Sequence, residues 1–454
     1  MYGLIGSPLS HSYSHHIHEM FGLYEFSLMP MNEREFKKFI RKRDFSGLCI
    51  TIPYKQKVMK YCDVISPAAE EIGAVNTLYF NGDKLCGTNT DYYGFSYMAS
   101  KAGISFAGKT VLVMGSGGTC RTAATYARHS GAGRIVIASR SIKNAVTATK
   151  ELTSKLNPCE IENFTGFQAV TYDSIPFEEI DIIVNTTPVG MYPDNDSSLI
   201  DLDKFPKLSG VLDVIYNPAQ TKLVTAAIKK AFPASGGFPM LIAQAALGAG
   251  FMLGGSDAQQ AQQIFTGRLA AEGENFNDLV DRFYSKALTD TVNIVLVGMP
   301  GCGKSVMGEE LGKLTGKTVI DVNNVIEGMD EMSVSDILET KGEEYFVSRE
   351  TEIIENAGKQ KGKIIVADST VVLNPNNFNL LKQNGIIVYL RKPTIDLEKN
   401  GQLLSEKYNL EALRAMARQR KPYYRQWSDI KCAFNIDPQR LLNEITEYIK
   451  EKPL

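Results

Sequence analysis

Thr110-Val-Leu-Val-Met114 runs straight into Gly115-Ser-Gly-Gly118, and Thr119-Cys-Arg-Thr-Ala-Ala124 follows. A short apolar run, a glycine turn and a helix-compatible stretch make the opening of an α/β nucleotide-binding unit. Glycine allows the tight turn and lets backbone amides approach a pyrophosphate at the helix N-terminus. The spacing departs from G-x-G-x-x-G, so a plain structural turn stays open on this loop alone. The next apolar run, Arg134-Ile-Val-Ile-Ala138, ends in Ser139-Arg140. NAD binders place a carboxylate near that position for the ribose 2′-hydroxyl. A guanidinium suits a 2′-phosphate instead, which favours NADP(H); the alternative is a solvated strand-end charge. A further strand, Asp181-Ile-Ile-Val184, ends in the polar run Asn185-Thr-Thr-Pro-Val-Gly-Met191, placed where open sheets bind ligands.

A second loop, Gly298-Met-Pro-Gly-Cys-Gly-Lys304-Ser305, follows Val292-Asn-Ile-Val-Leu-Val297 and matches G-x-x-x-x-G-K-[ST] in full. Amides of Gly301 and Gly303 would cradle phosphates, Lys304 would reach the β/γ positions, and Ser305 would meet Mg²⁺. Two such loops imply two α/β modules, with the boundary placed near 285–291. No internal repeat is visible, because the loops are of different types.

Upstream of the first loop, polar groups concentrate in Ser10-His-Ser-Tyr-Ser14, Thr51-Ile-Pro-Tyr-Lys55, Asn76-Thr77 and Asn89-Thr-Asp91. Hydroxyls, amides, an ammonium and a carboxylate suit a small polyhydroxylated acid. Lys55 and Asp91 are a candidate acid/base pair for delivering a proton to a developing alkoxide; an ordinary salt bridge is the alternative.

The length of 454 residues allows about three domains. Hydrophobic residues at 44% and charged residues at 22% are ordinary globular usage. Forty-nine basic against 51 acidic residues, a net charge of −2, gives no global electrostatic case for nucleic acid or an anionic membrane. No apolar run is long enough to span a bilayer, and the N-terminus lacks the basic region of a signal peptide. The seven cysteines form no Cys-x-x-Cys pair, which fits free thiols and a cytoplasmic location. His11, His15, His16 and His18 match no standard metal-ligand spacing.

Residues 1 to about 270 resemble shikimate dehydrogenase. The motifs are Gly6-Ser-Pro-Leu-Ser-His11-Ser12-Tyr-Ser14, Thr51-Ile-Pro-Tyr-Lys55, Gly73-Ala-Val-Asn76-Thr77 and Asn89-Thr90-Asp91, then Gly115-Ser116-Gly117-Gly118 and Ser139-Arg140. Asn185-Thr186-Thr-Pro-Val-Gly-Met191, Tyr216-Asn-Pro218 and Met240-Leu-Ile-Ala-Gln244 continue the series. The resemblance implies a two-lobed α/β fold, with a substrate lobe at 1–92, a Rossmann NADP lobe at 93–236 and helices returning to the substrate lobe at 237–275. It implies that Ser12 and Ser14 hold a carboxylate, and that Thr51, Asn76, Asp91 and Gln244 bind ring hydroxyls, with Tyr216 also on the substrate. It makes Lys55 and Asp91 the catalytic pair, sets Gly237 and Met240 beside the nicotinamide, and adds Thr186 to the cofactor residues. The implied reaction is NADPH-dependent reduction of 3-dehydroshikimate to shikimate in aromatic amino acid biosynthesis; a quinate-preferring or NAD-using relative is the alternative. His15, Ser139 and Tyr92-Tyr93 depart from the family pattern.

After a linker expected at 276–290, residues 291–454 resemble shikimate kinase, a P-loop domain with a parallel sheet. The agreement lies at the P-loop, Asp321, Gly342-Glu343-Glu-Tyr-Phe346, Leu373-Asn-Pro375 and Arg420-Lys-Pro-Tyr-Tyr424. Ser305 and Asp321 would face Mg²⁺ if ATP or ADP binds. The acceptor side departs from the family. Asn323 replaces the second Asp of Asp-x-Asp, Val347 stands where Arg follows Phe, Ala367-Asp-Ser-Thr-Val371 stands where the family has a Gly-Gly-Gly turn, and Gly401-Gln-Leu-Leu404 replaces the lid Arg, for which Arg391 or Lys399 could substitute. A lost charge-assisted contact is worth roughly 1.5–3 kcal/mol. The expectation is therefore a nucleotide-binding module with weak or no kinase activity, in possible contact with other shikimate-pathway enzymes. A working bifunctional dehydrogenase/kinase is the alternative.

Overall fold

In the computed structural model, the described residues are 1–7, 9, 13–156, 164–192, 194–393, 410–432 and 435–451. The chain divides into two compact units: Met1–Asn217 with Ala226–Lys286, and Pro218–Thr225 with Ala287–Lys452.

The first unit carries two sheets. Strands β1 (Tyr2–Gly6), β2 (Phe26–Pro30), β3 (Gly47–Ile50), β4 (Val64–Ile65), β5 (Thr77–Asn81) and β6 (Lys84–Thr88) form a six-stranded sheet of order β2-β1-β3-β5-β6-β4. It is mixed: β5 runs antiparallel to β3 and β6, and the remaining pairs are parallel. Strands β7 (Thr110–Met114), β8 (Arg134–Ala138), β9 (Phe167–Val170), β10 (Ile182–Asn185), β11 (Gly210–Asp213) and β12 (Ala234–Ser235) form the second sheet, order β12-β11-β10-β7-β8-β9, all parallel. This is the doubly wound order, and the order in which strands are added reverses between β7 and β10. Val111, Val113, Ile135, Ile137, Ile182 and Val184 are fully buried there. Near-continuous Val/Ile runs belong to strands covered on both faces.

Two long helices join the lobes. Asp91–Lys101 leaves the first sheet, and Phe238–Met252 comes back to it. They approach so closely that a Cβ on Gly94 would stand 2.5 Å from the Met240 carbonyl oxygen. The second helix reaches β3, where Met252 fills the space beside Gly47, and its Phe251 packs on Tyr79 at 4.9 Å. Its alanines and glycines, buried almost throughout, allow this approach.

The stretch 276–290, expected as a linker, lies within the helix Phe276–Thr291, and the division between the two units falls inside it, between Lys286 and Ala287. Phe276, Leu279, Val280, Phe283, Tyr284, Ala287 and Leu288 are buried at helical spacing, so one face has a core to join. Tyr93 Oη donates to Asn277 Oδ1 at 2.7 Å, and both Tyr97 Oη and Lys101 Nζ donate to Asp281 Oδ1, at 2.5 and 2.6 Å. Tyr93, one of the departures from the family pattern, thus ties this helix to Asp91–Lys101.

In the second unit, β13 (Asn293–Val297), β14 (Thr318–Asp321), β15 (Lys363–Val366), β16 (Gly385–Leu390) and β17 (Ile430–Cys432) form a parallel sheet of order β14-β15-β13-β16-β17. The glycine loop leaves the central strand β13. Among the described residues, no helix is long and apolar enough to cross a membrane.

Candidate active site

Lys55 follows the turn after β3, and Asp91 opens the helix after β6. The two strand ends converge, and Lys55 Nζ donates to Asp91 Oδ2 at 2.6 Å. Their side chains are 19% and 10% exposed, so the pair is shielded but open to one side. That side is a cavity of about 420 Å³.

Thr51, Asn76, Gln244, Ser14 and Tyr216 line the same cavity. Gly237 and Met240 line it from the returning helix. Nine predicted residues from six separate stretches of sequence therefore meet in one hollow. Ser12 lies outside the described residues. Cys49 also lines the cavity; burial, with Asp91 nearby, pushes its thiol up to about 12, so it is an inert wall.

A buried network holds the amides. Thr90 donates its backbone N–H to Asn76 Oδ1 at 2.8 Å, while Asn76 Nδ2 donates to Thr90 Oγ1 at 3.0 Å. Thr90 Oγ1 also donates to Gln244 Oε1 at 3.4 Å, and Gln244 Nε2 donates to the Leu241 carbonyl at 3.0 Å. Thr90 stands within the Asn89-Thr90-Asp91 motif, but its role shows only in its contacts to positions 76 and 244, which the sequence does not reveal. Thr119 and Met191 line the cavity as well; Thr119 directly follows Gly115–Gly118, and Met191 ends the run Asn185–Met191.

Behind the cavity, His18 is fully buried. It stacks on Phe26 at 3.9 Å and shares a 2.8 Å hydrogen bond between Nδ1 and Tyr24 Oη. Burial, then the nearby His15, lowers it to about 3. Among the described residues no cluster of three or more His, Cys, Asp or Glu could hold a metal ion.

The dinucleotide loop stands at the switch point between β7 and β10. Thr186 donates its N–H and its Oγ1 to the Met114 carbonyl, at 2.9 and 2.6 Å. Gly115 has φ +111°, and a Cβ there would fall 2.6 Å from Thr186 Oγ1, so only glycine fits. Gly117 and Gly118 meet no atom within 4 Å of where a Cβ would be. The N-terminus of Gly118–His129 has no side-chain cap. Open space above uncapped amides fits a pyrophosphate. Ser116 Oγ and Ser139 Oγ lie 3.5 Å apart, and Arg140 is exposed beside them at the end of β8, which fits a 2′-phosphate.

In the second unit, Lys304 is 9% exposed, and its Nζ donates to the Gly298 and Met299 carbonyls at 3.0 and 3.2 Å. Gly301 and Gly303 have φ of +70° and +93°, and Gly303 faces open space. Ser305 Oγ donates to Asp321 Oδ2 at 2.7 Å. A hydroxyl and a carboxylate meeting beside this loop fit the hard oxygen donors Mg²⁺ takes.

Beside this loop, several polar groups of that unit bond to their own chain. Arg420 donates to Ser369 Oγ at 2.8 Å and to Glu343 Oε1 at 3.1 Å. Tyr424 Oη donates to the Ser369 carbonyl at 2.5 Å, and Thr370 Oγ1 donates to Glu350 Oε2 at 2.7 Å. Burial, with Asp368 nearby, raises the Glu350 carboxyl to about 8. For Asp368, burial alone would raise the carboxyl; Lys304 and the donors Asn323, Thr370 and Ser369 outweigh it and hold it below the usual range. Arg391 donates Nε to the Cys432 carbonyl at 3.0 Å. Lys399 and residues 401–404 lie outside the described residues.

Residues 4–78 match the family model of the shikimate dehydrogenase substrate binding domain, and residues 300–450 match that of shikimate kinase. The shikimate dehydrogenase (NADP(+)) of Clostridium beijerinckii is 36% identical over 252 residues, 54% of this chain and 88% of the relative. That of Methanococcus maripaludis strain C6 is 35% identical over 255 residues, 54% of this chain and 88% of the relative. The crystal structure of a shikimate dehydrogenase in complex with NADP+ superposes with a TM-score of 0.51 at 31% identity, covering 60% of this chain and 96% of that one.

Fold and cavity together define a two-lobed α/β oxidoreductase. The chain belongs to the shikimate dehydrogenase family and carries a shikimate kinase family domain at its C-terminal end.

Proposed function

We propose that the first unit reduces 3-dehydroshikimate to shikimate with NADPH. The observation that carries this is the Lys55–Asp91 pair at 2.6 Å, facing a cavity that Thr51, Asn76, Gln244 and Ser14 also line. NADPH, when bound along Gly115–Gly118 with Ser139 and Arg140 at its 2′-phosphate, supplies the hydride. The chain's own residues do the rest. Ser14 with Ser12 takes the substrate carboxylate, and Thr51, Asn76 and Gln244 take ring hydroxyls. Tyr216 closes the cavity wall, and Gly237 and Met240 shape the space between substrate and cofactor. Lys55 Nζ gives its proton to the oxygen that gains charge at the reacting carbon. Asp91 aims Nζ and compensates its charge. The names of the relatives support the substrate and the cofactor. Initial rates with shikimate and with quinate, each with NADP+ and NAD+, test the reading: shikimate with NADP+ is fastest, and a quinate or NAD+ preference overturns it.

The second unit binds nucleotide and does not phosphorylate shikimate. What supports this is the engagement of Arg420 by Ser369 and Glu343, together with Val347 in place of a cation. A coupled assay for ADP with full-length chain, Mg-ATP and shikimate tests it; ADP release that rises with shikimate overturns it.

A further inference from the structure

The residues that replace the acceptor turn do more than fill space. Strand β15 lies beside β13, with Val366 opposite Leu296, and the Ala367 N–H donates to the Leu296 carbonyl at 3.1 Å. The next residue, Asp368, therefore emerges level with Gly298, where the phosphate loop begins. A carboxylate at the C-terminal end of the strand next to a phosphate loop stands where open parallel sheets place ligand-handling groups. Asp368 Oδ2 accepts from Asn323 Nδ2 at 3.0 Å, and Asn323 is two residues beyond Asp321, the acceptor from Ser305. Asp368 Oδ1 accepts from Ser369 Oγ and the Thr370 N–H, both at 3.0 Å. Two polar atoms on the residues bonded to this turn have no partner: Asn323 Oδ1 and Nε of Arg420, a residue 5% exposed. One acceptor and one donor left over on buried side chains are what an ordered water satisfies.

We infer that Asp368 makes the phosphate loop of the second unit a water-directed nucleoside triphosphate site, hydrolysing its ligand slowly in place of phosphorylating an alcohol. The inference rests on the nucleotide reading of Gly298–Ser305. Asp368 accepts a hydrogen bond from a water and points its oxygen at the terminal phosphorus. The new P–O bond forms from that water, and the bond to the bridging oxygen breaks. The electron pair leaves on the diphosphate, and the water's proton passes to the released phosphate. With Asp321, Asp368 also makes the recess repel bare nucleotide and favour the complex with a divalent cation.

The test uses full-length chain, with ATP binding measured by calorimetry in Mg²⁺ and in EDTA, and phosphate release followed without shikimate. Wild type binds more tightly with Mg²⁺ and releases phosphate slowly. In Asp368→Asn and Asp368→Ser the gain from Mg²⁺ shrinks about tenfold or more, the size of one charge-assisted contact, and phosphate release falls with it. ATP affinity in EDTA is kept or tightened in both, which also shows that the unit folds. Unchanged Mg²⁺ gain and unchanged release in both variants overturn the role of Asp368 while leaving the nucleotide reading intact. No ATP binding by wild type overturns the nucleotide reading and this inference together. Phosphate transfer that needs shikimate overturns the water-directed step.

Discussion

Lys55 and Arg420 are both shielded cations in units that carry a glycine-rich loop. Lys55 has one partner, Asp91, and faces an open cavity. Arg420 has Ser369 and Glu343, in a turn also held by Tyr424. A cation with spare donors beside an open cavity can meet a ligand. A cation held by its own chain contributes to folding, and recruiting it means breaking those contacts, one of them buried. The difference between the two sites lies in availability more than in residue type.

The sharpest way to break this comparison is Lys55→Ala. Turnover of the dehydrogenase falls by about 100- to 10,000-fold, the usual worth of a positioned proton donor. Retained turnover removes the contrast altogether. Next is Arg140→Ala, which lowers the preference for NADP+ over NAD+ by about 10- to 100-fold through loss of a charge-assisted contact. Ratios of kcat/KM for the two cofactors measure it. A smaller effect belongs to Thr90→Val. It loosens Asn76 and Gln244, so KM for shikimate rises by about tenfold while kcat stays within a few-fold. A comparable fall in kcat would move Thr90 from positioning to chemistry.

A stability prediction follows from His18. Its folded value is depressed to about 3, so below the unfolded value near 6.5 the unfolded chain binds the extra proton. The stability this neutral histidine preserves is complete above about pH 6.5 and is lost as pH falls toward 3, at about 1.4 kcal/mol per pH unit. In His18→Gln the slope of unfolding free energy against pH between 6 and 4 is shallower by one proton. An unchanged slope would show that His18 is not held neutral. The smallest effect is a null one. Val347→Arg alone yields no shikimate-dependent ADP, because Arg420 remains bonded to Ser369 and Glu343.

Much of this was legible in the sequence. Strand, glycine loop and helix are local features, so 110–124 and 292–305 locate both sheets' switch points. Lys55, Asp91, Asn76 and Gln244 were readable because motifs keep their order in the chain. The polar, helix-prone composition of 257–286 signals a helix but not where it ends; apolar residues recur at helical spacing from Phe276 to Leu288, so the helix runs through the boundary expected near 285–291. The role of Thr90, the pairing of Tyr93 with Asn277 and the engagement of Arg420 by Ser369 depend on contacts between distant segments. No local pattern encodes such pairings.

The most direct measurement places both sites in one preparation. Purified full-length chain receives shikimate with NADP+, and separately shikimate with Mg-ATP, and NADPH and ADP are followed as shikimate is raised. The account predicts NADPH formation that saturates with shikimate and ADP release that stays flat. ADP release that climbs and saturates with shikimate, or NADPH formation that fails to appear, would contradict it.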